Sequence, residues 1–130
     1  MNGRILVMDD DESICRIFAL MLGKLGYEVE SVSAGEAAVD RYRQARDSGN
    51  PFRVVILDLT VRDGMGGEET LVALKALDAS VCAVCASGSS RDALAEVYLQ
   101  QGFKAVLPKP FRFQDVADCM QGLLGSTNCT

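Results

Sequence analysis

Asp9-Asp10, Asp58, Ser87 and Lys109 supply three carboxylates, a hydroxyl and an ammonium, each at or just beyond the end of a short apolar run. Ligands of a parallel sheet flanked by helices bind at the carboxyl ends of its strands, so these groups would meet along one edge. Crowded carboxylates repel unless a proton or a cation neutralises them. Mg²⁺ suits such a set, because it takes octahedral oxygen coordination from one or two carboxylates, several waters and a phosphate oxygen. Asp10 and Asp58 could ligate it directly, with Asp9 holding a coordinated water. A carboxylate can also attack a phosphoryl group and form an acyl phosphate. The composition of the cluster points to a hard cation beside a phosphoryl group.

Lys109 stands between Pro108 and Pro110, which restrict the backbone on both sides. A rigidly presented ammonium would offset the acidic charge and hold one phosphoryl oxygen, and the Ser87 hydroxyl would reach another. Phosphoryl transfer depends on positioning and charge neutralisation, so these are the parts it needs. Each residue alone has a plainer reading. The run Asp9 to Ser13 suits the acidic start of a helix, and Asp58 could simply bond the next turn. Ser87 before Gly88 is a common turn serine, and Lys109 fits a surface turn marked by prolines. Their order, all at strand ends, makes the set specific.

The elements that must position these groups alternate five times. The apolar runs Ile5 to Met8, Val54 to Leu57, Val81 to Val84 and Ala105 to Leu107 read as strands, with a further short one from Tyr27 to Val32. Between them Ile14, Phe18, Met21, Leu22 and Leu25 recur at helical spacing, closed by Gly26. A second helix runs from about Gly35 to Arg46 with Ala38, Tyr42 and Ala45 on one face. Leu71 and Leu74 mark the third, Leu94, Val97 and Tyr98 the fourth, which stops at Gly102. Phe113, Val116, Met120, Leu123 and Leu124 mark the last. Strand, helix and parallel strand in succession predict an α/β sheet, doubly wound, with helices on both faces. One domain is expected over residues 1–124, with 125–130 as a frayed tail.

Bulk composition excludes several classes. Of 130 residues 48% are hydrophobic and 24% charged, which suits a single globular domain with a proper core. The net charge of −5, from 13 basic against 18 acidic residues, argues against a nucleic-acid-binding face. No run approaches the roughly 20 apolar residues of a membrane span. Three consecutive aspartates follow the first short apolar run, unlike a secretory signal peptide. A cytoplasmic location is expected. The five cysteines form no paired framework, and Cys82 and Cys85, three apart on a strand, should face opposite sides. The chain contains no histidine, so any phosphohistidine that serves it lies on another protein or domain.

From Arg4 to about Leu124 the chain resembles a response-regulator receiver domain. The matching pieces are Ile5 to Asp10, Val55 to Thr60, Ser87-Gly88, Gly102 and Lys109-Pro110-Phe111. The resemblance implies a flavodoxin-like (βα)5 fold with a five-stranded parallel sheet in order 2-1-3-4-5. It implies Asp58 as phosphoacceptor and Asp9 and Asp10 as the acidic pocket. Mg²⁺ would be bound with help from the backbone carbonyl of Thr60, Ser87 would be the switch hydroxyl and Lys109 the phosphate-contacting lysine. A sensor histidine kinase or phosphotransfer domain would be the donor in a two-component system or phosphorelay. The domain would be a signalling phosphoacceptor, not a turnover enzyme, with no nucleic-acid contacts of its own.

Two positions depart from the family pattern. Arg62 stands where many receivers have proline, and Val106 stands where an aromatic is frequent on the fifth strand. Competing readings are a pseudo-receiver without chemistry and an aspartyl-phosphate phosphatase of the haloacid-dehalogenase kind. The latter places a second Asp two residues after its nucleophile, where this chain has Thr60. With no effector segment in the sequence, a stand-alone receiver and a piece of a hybrid kinase or larger regulator are both expected possibilities.

Overall fold

Alternation along the first strand sets up two separate cores. In β1 (Arg4–Met8) Leu6 and Met8 turn to one face and Ile5 and Val7 to the other, and all four are fully buried. A strand apolar on both sides must be covered on both sides, which is the condition of an interior strand of a parallel sheet. β3 (Val54–Asp58) repeats the pattern, with Val55 and Leu57 against Val54 and Ile56. The computed structural model describes residues 3–59, 66–87, 92–108 and 112–124.

Among the described residues ten elements follow in strict alternation: β1, α1 (Glu12–Lys24), β2 (Glu28–Val32), α2 (Gly35–Asp47), β3, α3 (Gly67–Leu77), β4 (Ala83–Ser87), α4 (Asp92–Gln101), β5 (Ala105–Pro108) and α5 (Phe113–Leu123). The strands form one parallel sheet in order β2-β1-β3-β4-β5, as the resemblance implies. One face packs Ala38, Tyr42 and Ala45 of α2 and Leu71 and Leu74 of α3 against the sheet. The other packs Phe18 and Leu22 of α1 with Val116 and Met120 of α5. Burying a side chain such as Phe18 or Leu22 contributes about 1.5–3 kcal/mol.

Local chemistry fixes the helix ends. Asp11 caps α1, its carboxylate accepting from the Ser13 N–H at 2.9 Å, and Glu12 lies in the first turn. Gly26 follows α1 with φ +92° and Gly102 follows α4 with φ +117°, a backbone region that suits glycine. The glutamate of Glu69 accepts from the Gly66 N–H at the start of α3. Thr70, fully buried, donates its hydroxyl back to the Gly66 carbonyl at 2.7 Å and lies 3.7 Å from the Met8 sulfur, seating α3 on β1.

Three sequence expectations need correction. The fourth strand runs over Ala83–Ser87, two residues later than the apolar run, because Asp78 to Val81 forms a turn closed by the Val81 N–H on the Asp78 carbonyl. Val97 and Phe113, assigned to helix cores, are 45% and 40% exposed. The side chains of Leu94 and Ser87 lie outside the described residues, as do Thr60, Arg62, Lys109, Pro110 and the tail 125–130. Cys82 and Cys85 do face opposite cores. Among the described residues no helix is long and apolar enough to cross a membrane.

Candidate functional site

The register of the sheet brings the chemically distinctive residues to one edge. Met8 pairs with Leu57, so Asp9 and Asp58 follow side by side on adjacent strands. Asp58 pairs with Ala86, which puts Ser87 one step further along β4. Ser87 in turn pairs with Pro108, the residue before Lys109. Lys109, Thr60 and the Ser87 side chain lie outside the described residues, so the edge is described by its carboxylates.

Those carboxylates converge. One oxygen each from Asp9, Asp10 and Asp58 lies within 4.8 Å of the others. Asp9 is 2% exposed and Asp58 1%, while Asp10 is exposed. Asp9 is held by its surroundings: its N–H donates to the Val32 carbonyl at 3.1 Å, and its Oδ1 accepts from the Asp11 N–H at 2.9 Å. The Cys15 thiol donates to its main-chain oxygen at 3.4 Å. Beyond Asp58 the Leu59 N–H donates to the Ala86 carbonyl at 3.1 Å, extending the β3–β4 ladder past the site.

Three hard oxygen donors at this spacing, two of them removed from water, fit a divalent cation such as Mg²⁺. Without a cation their mutual repulsion in a poorly screened setting raises the free energy of the folded state. Asp10, the exposed member, leaves the open side of the cluster to solvent and to a ligand. Asp11 and Glu12 are absorbed by the cap and first turn of α1, which divides the acidic run into a half in the carboxylate cluster and a half that serves the helix.

Two features beside the cluster go beyond the sequence reading. A groove of about 580 Å³ opens from Asp9 and Asp10 between α1 and β2, with Cys15, Arg16, Ser31 and Ser33 among its walls. Burial, and then the charge of Asp9, push the Cys15 thiol up from its ordinary pKa. On the other side Gly67 comes against the main chain of Asp58. The glycine doublet Gly66-Gly67 just ahead of an apolar helix was the available signal for such a close approach.

Comparison with known proteins agrees with this arrangement. The family model of the response regulator receiver domain matches residues 5–121. The transcriptional regulatory protein ZraR of Escherichia coli K12 is 29% identical over 127 residues, 98% of this chain but 27% of the relative. The two-component response regulator ARR14 of Arabidopsis thaliana is 30% identical over 118 residues, 91% of this chain and 30% of that protein. The chain thus spans less than a third of the curated relatives it matches. Among solved structures, the chemotaxis protein CheY4 of Vibrio cholerae superposes with a TM-score of 0.84 at 24% identity, over 95% of this chain and all of that one. The receiver domain of a putative Luxo repressor protein from Vibrio parahaemolyticus gives 0.81 at 22% identity, over 99% and 95%. At those identities the likeness shows the fold. With the family model spanning β1 to α5, the chain belongs to the response-regulator receiver domains of two-component signalling.

Proposed function

We propose that this domain accepts a phosphoryl group on Asp58 from a phosphohistidine of a sensor kinase or phosphotransfer domain. The observation that carries the reading is the convergence of Asp9, Asp10 and Asp58 within 4.8 Å, with Asp58 buried at the end of an apolar strand. Asp58 is buried at a strand end whose register sets its place in the cluster, and a nucleophile for in-line transfer must be positioned. Its oxygen attacks phosphorus, the donor's P–N bond breaks, and the electron pair leaves on the imidazole nitrogen. The product is an acyl phosphate.

Asp9, Asp10, Asp58 and the main-chain carbonyl of Thr60 are the residues that would hold Mg²⁺. When bound, Mg²⁺ supplies charge neutralisation for the carboxylates and the phosphoryl oxygens. Lys109 and Ser87 are assigned to two phosphoryl oxygens; the pairing of Ser87 with Pro108 supports their being neighbours. The phosphoryl state then biases a two-state surface on α4, β5 and α5 that partners read. The domain acts in the cytoplasm as a phosphoacceptor without independent turnover, and its own surface makes no nucleic-acid contacts.

A phosphorylated histidine donor, incubated with the domain and Mg²⁺, tests this directly. Label should move to the domain and stay base-labile, as an acyl phosphate is, and Asp58→Asn should take none. Label retained by Asp58→Asn would overturn the assignment, and steady release of phosphate from small phosphate esters would favour a phosphatase.

A further inference from the structure

The last turn of α4 carries no basic side chain of its own to meet its end carbonyls, which form the negative end of the helix. The cation comes from a different helix. Nζ of Lys75, in the last turn of α3, lies 3.4 Å from the main-chain oxygen of Gln101. The same side chain lies over Gly102, where an ideal Cβ would come within 1.8 Å of Nζ and 2.5 Å of Cε. Just beyond, the Gly102 and Phe103 N–H groups donate to the Leu99 and Tyr98 carbonyls at 3.1 and 3.2 Å. The Tyr98 ring meets the buried Phe103 edge-on, with centroids 6.4 Å apart. The C-terminal end of α4 is therefore fastened by charge, hydrogen bonds and an aromatic contact, while its first residue, Asp92, follows closely on Ser87 at the site edge.

We infer that Lys75 is a positioning residue that holds the C-terminal end of α4 from α3, making that end a pivot. Displacement driven from the Ser87 end then swings the helix about its tethered end. The part played by Ser87 rests on the receiver reading above; the tether itself does not.

Lys75 is exposed, so its replacement leaves the core intact. Lys75→Met keeps the length of the side chain without charge or donors, and Lys75→Arg restores a cation. Amide hydrogen exchange is read by mass spectrometry on the whole domain, alone and after treatment with acetyl phosphate and Mg²⁺. In the untreated protein Lys75→Met should speed exchange across residues 98–103 by about two- to fivefold, the size of a helix-end charge effect, and leave α1 unchanged. Lys75→Arg should return the wild-type protection. After phosphorylation the wild type should change exchange at the Ser87 end of α4, and Lys75→Met along the whole helix. Unaltered exchange at 98–103 in Lys75→Met, or no rescue by Lys75→Arg, overturns the tether. An identical phosphorylation pattern along α4 in wild type and Lys75→Met overturns the pivot. A wild-type domain that takes up no phosphoryl group from acetyl phosphate or from a phosphorylated histidine donor overturns the receiver reading and the pivot together, while the untreated samples still decide the tether.

Discussion

Gly67 leaves no room for a side chain beside Asp58: a Cβ at Gly67 would lie 2.8 Å from the main-chain oxygen of Asp58 and 2.8 Å from Cδ2 of Leu59. Backbone cannot yield as a flexible side-chain tip can. The first residue of α3 is thus packed against the residue at the heart of the acidic cluster, and the helix sets where β3 ends. Gly67→Ala should destabilise the domain by about 1–3 kcal/mol, the usual range for overpacking. It should also shift Asp58 and slow its phosphorylation, whereas Gly66→Ala, with open space at its Cβ, should do neither. Urea unfolding and acetyl phosphate labelling of both variants check this; equal behaviour of the two would contradict the close approach.

Tyr42 joins α2 to the end of α3 through its hydroxyl, which donates to Asp78 Oδ2 at 2.7 Å. The Ser80 hydroxyl first, and then this phenol, hold the Asp78 carboxyl below the usual carboxylate range. A lowered folded pKa gives stability that is complete above the unfolded value, about 4, and is lost as pH falls through the folded one. Tyr42→Phe should therefore cost about 1 kcal/mol at neutral pH. The difference from wild type should shrink as pH falls below the unfolded value and through the lowered folded one, where Asp78 takes up a proton in the native domain. Thermal melts from pH 7 to pH 2 would show it, and a difference independent of pH would contradict it.

The thiols of the two cores are predicted to be inert. Burial pushes Cys85 up to about 12 and Cys119 up to about 11. The thiolate is the reactive form. At pH 8 iodoacetamide should leave both unlabelled in the native domain and label both after unfolding. Peptide mapping by mass spectrometry reads the outcome; rapid native labelling of Cys85 would contradict its placement inside the sheet–α3 core.

Much of this arrangement was legible because strand-end chemistry interrupts apolar runs. Asp9 and Asp58 are conspicuous because the four or five residues before each are apolar on both faces, and the sheet register then brings them together. The start of β4 was not legible, since Val81 and Cys82 continue the apolar alternation while the backbone is still leaving a turn. Val97 and Phe113 misled for a related reason: helical spacing marks a face, but how wide that face is depends on what packs there. Long-range charge pairing was also invisible. Glu30 is shared by Arg4 and Arg41, and Arg4 also lies over the Phe52 ring at 4.4 Å. Contacts of this kind depend on elements far apart in sequence. The same holds for Lys75 and Gln101, which no local motif connects.

Intact mass spectrometry decides whether Asp58 is a metal-dependent phosphoacceptor. The domain is incubated with acetyl phosphate, with and without Mg²⁺, beside Asp58→Asn. The wild type should gain one phosphoryl group, the gain should require Mg²⁺, and it should be absent from the variant. A gain of equal size in Asp58→Asn, or no gain in the wild type from either acetyl phosphate or a phosphorylated histidine donor, would contradict it.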